Sequence, residues 1–184
     1  ANRMYNGNPY YVPSMPFDDM ATFDEGHNGA FAFSKAELYL AHKDGNVVGR
    51  VAAIINNKAN ESWNVRQVRF GWIDFIDDLE VSAALLEAVI EFGRKAGMTQ
   101  IVGPLGFTDF DPEGMLVEGY DRLGTMALIY NHPYYPEHMK KHGYYKETGW
   151  IEYRLTIPEF VSERHKRIAE AVMERYDLRI IKKT

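Results

Sequence analysis

The chain has 184 residues, 46% of them hydrophobic and 26% charged, with a formal net charge of −5, which is typical of one globular domain. It contains no cysteine, which excludes disulfides, thiolate nucleophiles and zinc–cysteine sites. The negative charge argues against nucleic-acid binding, and no apolar run approaches the roughly 20 residues that span a bilayer, so we expect a soluble, cytoplasmic α/β protein that binds neither nucleic acid nor membrane.

The first third of the chain predicts a loop followed by a hairpin. Residues 1–36 show no sustained periodicity, and we expect a loop there with one or two short helical turns near Phe17–Phe23. Glu37–His42 and Val47–Asn56 are predicted strands, and the turn residues Lys43-Asp44-Gly45-Asn46 join them.

The next segments predict a strand, a helix and a strand. Val68–Phe75 is a predicted strand after the polar stretch Asn57–Gln67. Val81–Ala96 has the apolar spacing of a helix, which Gly97 ends. Gln100–Val102 is a predicted short strand.

The last third begins with Gly103–Leu128, which is Gly-rich, acidic and without a regular pattern. Loops of that length inside compact domains are usually functional or wrongly assigned. A short helix at Pro136–His142, a long strand at Tyr144–Ile157, a helix near Ser162–Tyr176 and a strand-like segment at Leu178–Ile181 are then predicted.

Arg50 and Asp74 interrupt otherwise apolar strand faces. If Asn56 faces Val68 across the two strands, the same register places Arg50 directly opposite Asp74, where opposite charges form a cross-strand pair. A slip of one residue would remove the pairing. The pair is either a structural ion pair or a substrate-binding site in which Arg50 holds a carboxylate-bearing ligand.

The acidic segment supplies the candidate catalytic bases Asp109, Asp111 and Glu113. Clustered carboxylates can hold a divalent cation or remove a proton from an amine. Their spacing does not match a calcium-binding loop, and we predict no metal site. The alternative is a solvated, folded-back loop.

The densest cluster of aromatic and polar residues spans Tyr130 to Tyr135. Asn131 and His132 are candidate catalytic residues, because an amide and an imidazole can orient a polar substrate or move a proton. Tyr130 and Tyr134 are candidate substrate-binding residues. The alternative is an aromatic plug of the core with a solvent-facing histidine.

The predicted order of hairpin, strand, helix, strand, short helix and strand resembles the GNAT (N-acetyltransferase) superfamily. Three segments carry this likeness: DGNVVGRVAAI at 44–54, the strand and helix at 68–96, and YNHPYYPEHMKKHGYYK at 130–146.

Two more segments, NPYYVPSM at 8–15 and GPLGFTDFDPEGMLVEGYD at 103–121, are similar to a group of uncharacterised bacterial GNAT-like proteins built from two such halves. The likeness covers nearly the whole chain. It implies a GNAT-like domain at 1–161 and, at 162–184, a helix and strand that begin a second half, which would be a partner within the same protein.

The resemblance implies a mixed, mostly antiparallel twisted sheet flanked by helices, the acyl-CoA N-acyltransferase fold. The sheet splays between the strand at 68–75 and the strand near 100. In the family, acyl-CoA lies in that splay, with its pantetheine on the first strand and its pyrophosphate at the N-terminus of the next helix. Carried over to this chain, acetyl-CoA would lie near Phe75, Asp77 and Ser82.

This chain departs from the family at the helix start. The motif Arg/Gln-x-x-Gly-x-Gly/Ala is absent, and the segment 76–83 instead contains three carboxylates and no glycine or basic residue. Asp78 is the predicted N-cap. Like charges in contact near a surface cost on the order of a few kcal/mol, so a diphosphate would be repelled. Where many members have a tyrosine that protonates the thiolate, this chain has Met139.

These observations leave three functions open. The first is acyl transfer from acyl-CoA to an amine. The second is a non-catalytic half that has lost its CoA site and either binds a different small molecule or serves as a scaffold. The third is aminoacyl transfer from a charged tRNA, against which the net negative charge counts.

Overall fold

The computed structural model describes residues 2–124, 128–157 and 159–181. They fall into two compact units, Ala1–Tyr145 and Lys146–Thr184. The predicted boundary after residue 161, where a second half would begin, stays a prediction. Within the described ranges, no helix has both the length and the apolar character needed to cross a membrane.

The first unit contains four strands and four helices in its described part. In chain order they are α1 (Pro16–Thr22), β1 (Ser34–Lys43), β2 (Asn46–Asn56), α2 (Asn57–Trp63), β3 (Gln67–Phe75), α3 (Leu79–Lys95), β4 (Gln100–Val102) and α4 (Tyr134–Lys141). Short 3-10 turns lie at Asn2–Tyr5 and Gly29–Ala32.

The predicted hairpin is confirmed. β1 and β2 pair antiparallel, and the two residues of the turn have positive φ angles, 51° at Asp44 and 78° at Gly45. A two-residue hairpin turn of type I′ needs a positive φ at both positions, which Asp-Gly adopts readily.

The sheet is mixed, with the strand order β1-β2-β3-β4. β3 runs antiparallel to β2, and β4 runs parallel to β3 after the crossover through α3. β4 pairs along its whole length with Gln67–Arg69, and after it the Leu105 N–H still donates to the Phe70 carbonyl at 2.8 Å, whereas β3 continues to Phe75. The predicted mixed, mostly antiparallel sheet flanked by helices is confirmed, and the predicted splay stays a prediction.

A β-bulge interrupts the pairing of β2 with β3. Arg50 pairs with Asp74, but Ala52 pairs with Gly71, so one residue of β2 opposes two of β3. Trp72, one of those two, has a φ of 46°. The predicted pairing of Arg50 with Asp74 is confirmed, whereas the uniform register assumed for the whole ladder is wrong by one residue beyond the bulge.

The bulge decides which side chains face the core under α3. Val68 and Phe70 precede it, Ile73 is its second residue and Phe75 follows it, and all four pack into the same apolar cluster with α3. Trp72 packs on the opposite face of the sheet. Simple alternation would have placed Trp72 and Phe70 on one face, so the extra residue restores the apolar face of the second half of β3.

The structure adds a helix that the sequence pattern did not predict, α2. Five of its seven residues are polar, but both ends are capped. The Asn56 side chain accepts from the Ala59 N–H at 2.8 Å, and Asn64 ends the helix in the left-handed conformation with a φ of 52°.

The second unit contains one described helix, α5 (Glu163–Arg175), which confirms the helix predicted near Ser162–Tyr176. The strands predicted at Tyr144–Ile157 and Leu178–Ile181 are wrong, since the described residues of both segments form no ladder. An extended segment becomes a strand only when a neighbour binds its N–H and C=O groups.

Candidate functional site

At the end of β3, beyond the residues that β4 pairs, both backbone groups of Phe75 are bound by tyrosines of α4. The Phe75 N–H donates to the Tyr135 hydroxyl at 3.0 Å, and the Tyr134 hydroxyl donates to the Phe75 carbonyl at 2.6 Å. The rings of Phe75 and Tyr135 stack with centroids 4.1 Å apart. The protein's own side chains therefore occupy the edge of β3 at Phe75.

The first turn of α3 is capped by a carboxylate. Asp78 accepts from the Glu80 N–H at 2.9 Å and from the Lys43 ammonium at 2.5 Å, which confirms it as the N-cap. The bond from Lys43 is the main cause that lowers the pKa of Asp78, and the Glu80 N–H adds to it. The positive end of the helix dipole is thus already matched by negative charge.

A network of four polar side chains joins α3 to α4. The Ser82 hydroxyl lies 2.9 Å from His138 Nδ1 and 2.8 Å from His142 Nε2, and His138 Nε2 lies 2.9 Å from the Asp77 carboxylate. Ser82 and His138 are buried, whereas Asp77 is exposed. Neither histidine stood out in the sequence, since their i, i+4 spacing alone is a weak signal.

One donor of this network follows from the acceptor at its end. An ionised carboxylate can only accept, so His138 Nε2 donates to Asp77. The Ser82 hydroxyl has one proton, and it lies within hydrogen-bond distance of the Leu79 carbonyl, at 3.1 Å, as well as of the two imidazoles. Burial lowers the pKa of His142, and the nearby His138 lowers it further.

On the other face of the sheet, Arg50 and Asp74 form the centre of a second polar cluster. Arg50 Nε donates to Asp74 at 2.7 Å, and Arg50 Nη1 lies 3.6 Å from Asp19. The Tyr5 hydroxyl lies 3.1 Å from Asp74 and 3.1 Å from the Tyr135 hydroxyl. A continuous chain of polar contacts therefore runs from Arg50 to the backbone of β3.

Tyr5 is the central residue that sequence reasoning missed. It has one hydroxyl proton, and the carboxylate is the stronger acceptor, so Tyr5 donates to Asp74 and accepts from Tyr135. Burial raises the pKa of Tyr5 and of Tyr135, and the negative charge of Asp74 raises both further. Both hydroxyls stay protonated at neutral pH.

The N-terminal segment covers this cluster with stacked rings. Tyr5 stacks on Tyr11 at 4.3 Å and on His132 at 4.8 Å between centroids. His132 Nε2 lies 3.3 Å from the Met4 carbonyl. The predicted catalytic residue His132 thus lies half-buried beneath the N-terminal segment.

The predicted residues Asn131 and Tyr130 bind backbone. The Asn131 side chain accepts from the Leu116 N–H at 2.6 Å and donates to the Leu116 carbonyl at 3.1 Å. The Tyr130 hydroxyl donates to the Tyr120 carbonyl at 3.0 Å and accepts from Asn8 at 2.9 Å. Both residues hold the segment 116–120 in place.

The acidic segment is organised around a buried arginine of β3. Arg69 Nη1 donates to the carbonyls of Gly106 and Phe107, each at 3.0 Å. Burial lowers the pKa of Arg69 below its usual value. Sequence reasoning missed Arg69, although a charge within an apolar strand is a signal that could have identified it.

The three predicted bases lie in the field of this arginine. Asp109, Asp111 and Glu113 each act on Arg69 to raise its pKa, against the larger effect of burial. Asp111 accepts from the Thr108 N–H at 2.8 Å, and partial burial raises the pKa of Glu113. In the part of the chain that the structure describes, no three His, Asp or Glu side chains form a metal-binding group.

No protein-family model matches this chain. It is 28% identical over 146 residues to Protein YghO of Escherichia coli (strain K12), covering 79% of this chain and 37% of that protein. It is 28% identical over 162 residues to Bacterial ceramide synthase of Caulobacter vibrioides (strain NA1000 / CB15N), covering 82% of this chain and 42% of that protein. The chain thus spans about two fifths of the length of the curated relatives it matches.

Among solved structures, the chain is similar to "Putative acetyl transferase from Pyrococcus furiosus", with a TM-score of 0.43 and 13% identity over 84% of this chain and 89% of that one. The fold class of this chain rests on its own sheet topology.

Proposed function

We propose that this chain is part of an N-acyltransferase, which transfers an acyl group from an acyl thioester to an amine, and that this part does not itself hold acyl-CoA. Two observations support the first statement. The mixed, mostly antiparallel sheet with its β3–α3–β4 unit is of the kind that the acyltransferase resemblance implies. One relative carries the name Bacterial ceramide synthase, and ceramide contains an amide bond between an acyl group and an amine.

The second statement is carried by the contacts of Phe75. A pantetheine on this strand would have to displace the hydroxyls of Tyr134 and Tyr135 from the Phe75 backbone. Its diphosphate would approach Asp77 and Asp78, and such a like-charge contact costs on the order of a few kcal/mol. The residues present do not fit acetyl-CoA.

The roles left to this chain are to align the amine and to supply the base. Amide formation needs an aligned amine, a base that takes the ammonium proton and a polarised thioester carbonyl. Arg50 is held by Asp74 and Asp19, so an anionic ligand there would compete with two carboxylates. This supports a structural ion pair, and Asp109, Asp111 and Glu113 remain the proposed bases.

Calorimetric titration of acetyl-CoA and palmitoyl-CoA into the 1–184 chain tests the second statement. We expect no binding heat at about 1 mM ligand. The double variant Asp77→Asn/Asp78→Asn is the matched control, and it should also show none, because the tyrosines still occupy the strand edge. Binding by the unaltered chain would contradict the statement and make this chain the acyl-CoA-binding part.

The first statement needs a separate assay. The complete gene product is mixed with acyl-CoA and a panel of amines that includes long-chain amino alcohols, and N-acyl products are identified by mass spectrometry. Acylation of at least one amine is expected. Failure with every amine and every acyl chain length would reject the acyltransferase assignment, whatever the titration shows.

A further inference from the structure

Helix α5 in the second unit is well formed at its C-terminal end. The Leu178 N–H donates to the Met173 carbonyl at 2.9 Å, and the Asp177 N–H donates to the Glu174 carbonyl at 3.4 Å. Asp177 has a φ of 46°. These are the paired bonds and the left-handed residue of a Schellman cap, so the helix has a defined stop that turns the chain.

The apolar stripe of α5 is nevertheless uncovered. Ile168, Val172 and Tyr176 follow one another at a spacing of four residues and are 50%, 41% and 60% exposed. An isolated helix shorter than about 12–15 residues is marginal in water, and helices in proteins gain most of their stability from a packed apolar face. A capped helix of 13 residues whose apolar stripe is exposed therefore needs a partner surface to stabilise it.

The segment 151–157 has the same property in extended form. Ile151, Tyr153, Leu155 and Ile157 alternate with polar residues and are 75%, 75%, 82% and 88% exposed. Alternation of this kind gives a strand one apolar face, and its backbone groups form no ladder in the described ranges. Such a segment can add a strand to the edge of another sheet.

The whole second unit shares this exposure. Among its described residues, Met173 is half-buried and all the others are exposed. These residues therefore form no core of their own. Apolar surface on this scale marks an interaction site in a natural protein.

We propose that the 151–157 face and the α5 stripe dock onto a further domain of the same polypeptide, the extended segment as an added strand and the helix by its stripe. The length of the relatives favours a further domain as the partner, because the chain covers only 37% and 42% of the length of the two relatives. A domain joined to the same chain is also present at high effective concentration. This inference does not rest on the acyltransferase assignment.

Hydrogen–deuterium exchange of the complete gene product and of the 1–184 chain tests the proposal. We expect the amides of residues 151–157 to exchange at least about tenfold more slowly in the complete gene product. Three results would overturn it: equal protection in a dilute 1–184 chain, protection that appears only as the chain's concentration rises, and a complete gene product that contains no further domain or leaves these amides unprotected. The first points to cover from within the chain, the second to a second copy.

Charge-matched variants of the complete gene product separate docking from general instability. Leu155→Glu lies on the apolar face and should abolish the protection, whereas Thr156→Glu, on the opposite face, should preserve it. Val172→Lys on the α5 stripe and Glu174→Gln on its polar side form the second pair, since each raises the net charge by one. Equal effects within both pairs would refute the proposed surfaces.

Discussion

β3 and residues 151–157 both contain alternating apolar residues, but β3 is buried in a sheet and residues 151–157 are exposed. Phe70 and Phe75 in β3 are 1% and 0% exposed, while Tyr153 and Leu155 are 75% and 82% exposed. β3 is paired by β2 on one side and covered by α3, whereas the second segment has neither in the described structure. Alternation states what a segment can become, and a neighbour decides whether it does.

The largest difference in stability between the two regions is expected when a tyrosine is removed from each. Tyr135 is 1% exposed and Tyr153 is 75% exposed. Tyr135→Ala should lower the free energy of unfolding by about 3–5 kcal/mol, because it removes a packed ring and two hydrogen bonds. Tyr153→Ala should change it by less than about 0.5 kcal/mol. Chemical denaturation followed by circular dichroism measures both. Equal losses would contradict the claim that only the covered tyrosine stabilises the fold.

A smaller effect is expected when charge is removed from the two regions. Asp74→Asn weakens the contact to Arg50 and leaves the Tyr5 hydroxyl with a poorer acceptor, which should cost about 2–3 kcal/mol of unfolding free energy. Glu152→Gln, on the exposed segment, should stay within about 0.5 kcal/mol. If both variants unfold at the wild-type denaturant concentration, the Asp74 cluster does not stabilise the fold.

The smallest effect is a dependence on pH in the covered region. Because the pKa of His142 is lowered in the folded protein, the unfolded chain takes up the proton first as the pH falls. The free energy of unfolding should therefore decrease below about pH 6.5, by at most about 1.4 kcal/mol per pH unit, until the folded form is protonated too.

His142→Gln keeps a donor toward Ser82 and removes this titration, so denaturation at several pH values should show a shallower decrease for the variant. The variant leaves the other three residues of the network, Ser82, His138 and Asp77, unchanged. The same slope in both proteins would contradict the assignment.

Most of the first unit could be predicted from sequence because its signals are local. Asp44 and Gly45 fix the turn, and the periodic apolar residues of 81–96 fix α3. The pairing of Arg50 with Asp74 could be inferred from charge and register. Tyr5 could not be linked to Asp74, because 69 residues separate them and only the folded chain brings them together.

The candidate site was predicted only in part, because some of its residues come together only in the folded chain. Arg50, Asp74, His132 and Tyr134 do lie around one aromatic and polar cluster, but the residues that join them, Tyr5 and Tyr135, show no pattern in sequence. The filled strand edge at Phe75 depends on how α4 packs, which no local signal encodes.

The bulge at Trp72 has a consequence for comparing this chain with its relatives. Because the bulge holds one residue outside the alternation of β3, a protein that lacks this residue would keep Ile73 and Phe75 on the core face and the acid at 74 on the opposite face. A single-position gap near residue 72 in an alignment should therefore leave the acid at 74 in place. A relative with a strand of the same length should need the same bulge, since an unbroken ladder would turn the carboxylate towards the apolar core.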